Sequence, residues 1–170
     1  MNNQVKIIER EEENTLQIYA EAAMMKMPVA IGNAYKKIMQ NINEQKTEAA
    51  GAPFVRYLEI NWDKVNTENK FAAFIKMFTR KWKMEIGFPV KNNIDGTGEI
   101  KKSTIPKGKY LKSLHRGPYQ KVGYTYKRMT AFTKQNNLAI KNESIEIYLN
   151  DPRTTKKENL ETIVLIPLEE

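Results

Sequence analysis

The chain contains no cysteine and only one histidine, His115, among its 170 residues. The first absence excludes disulfides, thiolate nucleophiles and cysteine metal sites, and it agrees with a reducing, cytoplasmic setting. The second excludes a histidine-rich metal centre, and no cluster of carboxylates replaces it, so neither a metal nor another cofactor is expected. No run of about 18 apolar residues occurs, which leaves no candidate membrane span. The N-terminal Met1-Asn2-Asn3-Gln4-Val5-Lys6 leads straight into charged sequence, without the apolar core of a signal peptide. Glycine- and serine-rich linkers are also missing, which argues for a single domain over residues 1–170. The formal net charge is +8. Its lysines are spread along the chain and interleaved with acids, and no helix-turn-helix, zinc-finger or basic-region pattern accompanies them. The charge therefore reads as a solvated surface, with no direct nucleic-acid binding expected.

What the chain does have is itself, twice. At an offset of 91 residues Tyr19 falls on Tyr110, Gly32 on Gly123, Tyr35-Lys36 on Tyr126-Lys127, and Tyr57-Leu58 on Tyr148-Leu149. Two copies are too few for a solenoid. They imply one domain with a pseudo-two-fold axis, the first copy over about 5–91 and the second over about 98–168, with a ligand cleft expected along the axis.

Each copy shows the same order of elements. Strand patterns at 5–8 and 16–20 precede a helix opened by Pro28, whose stripe Ile31, Tyr35, Ile38, Ile42 has helical spacing. Strands at 54–60 and 84–90 follow. The second copy has strands at 100–105 and 109–115 and a helix after Gly117-Pro118 with the stripe Val122, Tyr126, Met129, Thr133. Strands at 144–149 and 160–168 complete it. The offset falls to 78 between Pro89 and Pro167, so the first copy carries about 13 extra residues between Trp62 and Met84. They include Phe71 to Phe78, readable as a short capped helix or a long hairpin, and either a cover over a pocket or a packed surface excursion. The sum is an α+β fold: two ββαββ units, a mainly antiparallel sheet of about eight strands, and two long helices on one face.

The order of several motifs resembles the GyrI-like small-molecule-binding family, whose domain also serves as the effector-binding half of AraC- and MerR-type multidrug regulators. The motifs are His115-Arg116-Gly117-Pro118-Tyr119, Glu146-Ile147-Tyr148-Leu149-Asn150-Asp151-Pro152 and Ile166-Pro167-Leu168, with Ala52-Pro53-Phe54-Val55-Arg56-Tyr57 and Ile86-Gly87-Phe88-Pro89-Val90 at the equivalent places in the first copy. Each is weak alone; their order covers nearly the whole chain. The resemblance implies the duplicated ββαββ fold. With no DNA-binding region in the sequence, it points to the stand-alone members, which are linked to binding toxic small molecules, inhibiting DNA gyrase, or hydrolysing strained cyclopropane-bearing toxins.

Side chains alternate along a strand. In 144–149 Ile145, Ile147 and Leu149 share one face, expected to pack on the helices, and Glu146 and Tyr148 share the other, expected to face the cleft. Val55 stands at the position matching Glu146, so only the second copy supplies a carboxylate. The family's drug-binding members carry one acid in an aromatic pocket, and the resemblance assigns that role to Glu146, which otherwise reads as a solvated strand glutamate. Tyr148, its mate Tyr57, Tyr119 and Trp82 are the aromatic candidates for ligand binding. Tyr35 and Tyr126 lie on helix stripes and read as core, although a hydroxyl could reach the cleft. His115 reads as structural or exposed. The expected partner is a small amphipathic, aromatic or cationic molecule. The alternatives are a hydrolase with Glu146 as general base and Tyr148 or Tyr119 as proton donor, or a gyrase-inhibitor-like protein-binding role. A homodimer and a protein partner are left open.

Overall fold

The computed structural model describes residues 4–62, 80–91 and 94–169. The strands are β1 (Lys6–Arg10), β2 (Glu13–Ala23), β3 (Phe54–Tyr57), β4 (Lys81–Pro89), β5 (Lys101–Ile105), β6 (Gly108–Arg116), β7 (Ser144–Tyr148) and β8 (Glu161–Pro167). The helices are α1 (Met27–Glu44) between β2 and β3, and α2 (Val122–Gln135) between β6 and β7. The eight strands form one sheet in the order β1-β6-β8-β7-β3-β4-β2-β5, every pair antiparallel. The insertion at Phe71 to Phe78 lies outside the described residues.

That order is a palindrome. Replacing each strand of the first copy by its counterpart in the second turns the sequence of strands into its own reverse, as a two-fold axis through the β3–β7 pair requires. The register places the axis. Val55 is the Cα partner of Glu146, Phe54 of Ile147 and Arg56 of Ile145. Val55 and Glu146 are also related by the 91-residue offset, so the axis passes between these two residues. The first strand of each copy is exchanged: β1 pairs with β6, and β5 with β2.

Two short connections then force the sheet to curl. Only Glu11 and Glu12 separate β1 from β2, and only Pro106 and Lys107 separate β5 from β6, yet each pair joins opposite ends of the strand order. The ends must come together, and the Lys107–Glu11 ion pair at 3.0 Å links the two turns.

Alternation along β2 and β4 sends Leu16, Ile18, Met84, Ile86 and Phe88 to the face that α1 covers with Ala34, Ile38 and Ile42. Neither helix has a side-chain N-cap. A cap contributes about 1 kcal/mol, whereas burying Ile38 and Ile42 contributes roughly 2 kcal/mol each, so docking and not capping holds α1. Lys46 and Asn137, again 91 apart, end the helices in the left-handed region at φ 54° and 51°. On the same face, α2 packs Met129, Phe132 and Val122 against Leu111, Val164 and Ile166.

One expectation about faces is reversed. Ile145 and Ile147 do not meet the helices. They lie on the opposite, inner side of the curl, with Phe54, Ile105, Tyr110, Ile163 and Leu165. Leu149 falls beyond β7 and is 43 % exposed. The helix-bearing face is the one carrying Ser144, Glu146 and Tyr148, because it is continuous with Val55 and Tyr57, which pack in the α1 core. An isoleucine pair marks a buried face, and here the curl buries both.

Candidate functional site

β3 and β7 are the central strands, with α1 packed over β2 and β4 on one side and α2 over β6 on the other. Whatever β3 and β7 present toward the helices therefore lies on the axis between them. Strand alternation presents Val55, Tyr57, Ser144, Glu146 and Tyr148.

Glu146 is only 6 % exposed. Tyr126, from α2, donates its hydroxyl to Oε1 at 2.8 Å. Tyr148, two residues along β7, donates to Oε2 at 2.9 Å. Each phenol has one proton. With both given to the carboxylate, the remaining contacts acquire a direction. Ser144 donates to the Tyr126 oxygen at 2.9 Å, and Tyr57 donates to the Tyr148 oxygen at 3.3 Å. Four hydroxyls thus converge on one acid, each chain ending at a carboxylate oxygen.

Burial raises the Glu146 pKa above the ordinary carboxylate value, and the hydrogen bonds from Tyr126 and Tyr148 oppose that rise. Burial, followed by the charge of Glu146, also raises the phenols of Tyr57, Tyr126 and Tyr148, which keeps them protonated and able to donate.

Aromatic rings surround this network. The Tyr119 and Tyr148 rings meet edge to face at 5.3 Å, and Tyr57 and Trp82 at 6.1 Å. The Arg80 guanidinium lies 4.8 Å over the Trp82 ring, an occupied cation–π contact at the rim. Trp62 packs on Tyr126 at 5.8 Å. The structure thus brings together all five residues singled out by sequence: Trp82 contacts Tyr57, Tyr57 contacts Tyr148, and Tyr148 contacts both Glu146 and Tyr119. It adds Tyr126 and Ser144. Tyr126 carried a usable signal, since it is the 91-residue mate of Tyr35 on a stripe facing the sheet; which atom its hydroxyl would reach was not visible. His115 is structural: it is 5 % exposed, with Nδ1 3.2 Å from the Thr125 hydroxyl and Nε2 3.1 Å from the Pro118 carbonyl oxygen.

Among the described residues, Tyr35 Oη, Trp82 Nε1 and Thr162 Oγ1 are buried without a hydrogen-bond partner. Such a group costs about 1–3 kcal/mol when left unsatisfied. Two of the cavities among the described residues lie away from Glu146. One of about 520 Å³ is lined by Glu59, Ile60, Asn61, Trp62, Ile140 and Asn142. The other, of about 660 Å³, lies where Ala22, Met25, Val29, Ala30 and Lys81 meet at the end of β2 and the start of α1. No group of three or more His, Cys, Asp or Glu is placed to hold a metal ion, and no helix is long and apolar enough to cross a membrane, both among the described residues.

A duplicated, curled α+β sheet with one buried acid on its axis, ringed by tyrosine and tryptophan, defines a class of small-molecule-binding domain. Residues 3–169 match the GyrI-like small molecule binding domain, and the chain belongs to that family. No curated protein matches it significantly. Several solved structures share the fold at low identity. A hydrolase encoded by lin2189 from Listeria innocua is 15 % identical, with a TM-score of 0.69 over 98 % of this chain and 92 % of that one. The C-terminal domain of EcmrR is 16 % identical, with a TM-score of 0.69 over 100 % of this chain and 99 % of that one. SAV2435 bound to tetraphenylphosphonium is 12 % identical, with a TM-score of 0.64 over 98 % of this chain and 94 % of that one.

Proposed function

We propose that this protein binds amphipathic aromatic molecules, cations above all, between its two halves, with Glu146 as the counter-charge and Tyr57, Tyr119, Tyr148 and Trp82 as the aromatic walls. One observation carries the reading: a lone carboxylate is buried on the pseudo-axis, held by neutral phenols. Among the described residues, no arginine or lysine pairs with it. A buried charge without a counter-ion is unfavourable, and a lipophilic cation would supply both the charge and the apolar surface. Ring faces attract such a cation by roughly 0.5–2 kcal/mol each, more as water is excluded. The tetraphenylphosphonium held by SAV2435, a molecule of the same fold, is of this chemical type. The net charge of +8 repels cations at long range, but screening over about 8–10 Å at physiological salt leaves the local carboxylate dominant.

The test is calorimetric titration of the wild type and Glu146→Gln with tetraphenylphosphonium. The expected result is an affinity lower by about tenfold or more in the variant, roughly 1.4 kcal/mol, with the fold intact by circular dichroism. Equal affinities would remove Glu146 from the site.

A second reading rests on the same hydrogen bonds. A carboxylate of raised pKa touching two phenols is an acid–base pair, with Glu146 as general base and Tyr148 or Tyr126 as proton donor to a strained electrophile. The lin2189 hydrolase shares the fold. Turnover of a cyclopropane-bearing electrophile that vanishes in Glu146→Gln would favour this reading over simple binding.

A further inference from the structure

We infer that the bound molecule carries, besides the part that meets Glu146, a neutral hydrogen-bond acceptor that takes the buried hydroxyl of Tyr35. This rests on the binding function proposed above and specifies its ligand.

The two halves differ at the site in one respect. Tyr126 and Tyr35 are mates, one on each helix. In the second half the helix tyrosine donates to Glu146. In the first half the equivalent acceptor does not exist, because the position across the axis is Val55. The neighbouring hydroxyl does not stand in for it either: Tyr57, the mate of Tyr148, lies against the Tyr148 oxygen across the axis and makes no hydrogen bond with Tyr35. Tyr35 Oη is consequently buried with no partner. Its ring is held edge-on against Phe88 at 5.2 Å, so the hydroxyl has a fixed approach. Its phenol is raised by burial first and then by Tyr57, Glu146 and Tyr119, all members of the site, which places it in the same electrostatic environment. Trp82, on the same half and packed on Tyr57, has a second buried donor without a partner in Nε1.

The two halves thus ask for different chemistry. The second half offers an anion. The first offers donors that lack an acceptor. A carboxylate on the ligand would be repelled by Glu146 in this poorly screened interior, so the acceptor is a neutral one: a ketone, amide carbonyl or ring nitrogen. The ligand class is an aromatic cation with a carbonyl or aza group on the side away from its charge.

The experiment compares triphenylphosphonium cations whose fourth ring bears an acetyl group, at the meta or the para position, with isosteres in which isopropenyl replaces acetyl. Each is titrated into the wild type and Tyr35→Phe. The expected result is an acetyl compound bound about tenfold more tightly than its isostere by the wild type, with the preference lost in Tyr35→Phe and the isostere bound equally by both. Isosteres and acetyl compounds bound alike at both positions, or a preference that survives Tyr35→Phe, would overturn the inference and leave the binding function standing. If no phosphonium binds at all, both fall together. A ligand-free measurement adds an independent arm. Removing an unpartnered hydroxyl should leave the melting temperature of Tyr35→Phe equal to or above that of the wild type. A clear drop would show that Tyr35 is already satisfied in the free protein and would refute the inference.

Discussion

Glu146 sits where a carboxylate is poorly solvated, and the tyrosines that bond it only partly restore what water would give. Its folded pKa lies above the ordinary value of 4.5. Between those two values the folded chain holds more protons than the unfolded one, so the contribution of Glu146 to stability is most favourable at low pH and is lost as pH rises through the window. The amide that replaces the carboxyl in Glu146→Gln cannot titrate. The melting temperature of Glu146→Gln relative to the wild type is therefore expected to rise as pH increases from 4.5 and to level off above the folded pKa. A difference independent of pH would show that the carboxyl is not perturbed. If the proposed cation binds at Glu146, its affinity is expected to follow the same titration, because only the ionised acid attracts a cation. At this scale the sequence was informative about residue type and nearly silent about contact. Glu146 and Tyr148 share a strand face by alternation alone, whereas the Tyr126 hydroxyl reaches Glu146 from a helix 20 residues earlier, a meeting that depends on how α2 seats on the sheet.

Among the elements, β4 shows how closely the sheet is built. Gly87 is the Cα partner of Phe54 on β3 and of Gln17 on β2. A Cβ there would lie 2.7 Å from the Phe54 ring and 2.7 Å from the Leu16 carbonyl oxygen, and the second of these is backbone that cannot turn away. Gly87→Ala is expected to destabilise the protein by about 1–3 kcal/mol, as overpacking does, measured by urea unfolding; an unchanged midpoint would mean that Phe54 has room to move. On the same inner face Arg56 ties the strands together, donating to Glu143 at 2.6 and 2.9 Å and to Glu85 at 3.2 Å. The order and kind of the elements were readable because spacing, Pro28 and the Gly117-Pro118 pair punctuate the chain. The assignment of faces was not. Alternation of isoleucine with glutamate and tyrosine says that β7 has two different faces. It does not say that curling buries the isoleucine face as well, and so leaves the helices to the face with the acid.

For the molecule as a whole, the exchanged first strands make the two halves one cooperative body. Among the described strands, β1 pairs only with β6 of the other half, over Lys6 to Arg10. Removing residues 1–11 should therefore expose the β6 edge. Hydrogen exchange is expected to show the β6 amides losing protection first and most, ahead of those in β2, although β2 is the nearer in sequence. Faster exchange confined to β2 would contradict the exchanged pairing. The same arrangement explains why a duplication so plain in the sequence yields one continuous sheet: each half borrows a strand from the other.

By itself the chain determined the duplication, the order of the elements, the family and the chemistry available to it, because these follow from spacing and residue type, which are local properties. The tertiary structure alone decided that Val55 and Glu146 face each other across the axis, that four hydroxyls converge on one buried acid, and that Tyr35 is left with nothing to bond. Those facts depend on strand register and on the curl of the sheet, which are set by contacts between residues far apart in the chain, and no periodicity within either half encodes them.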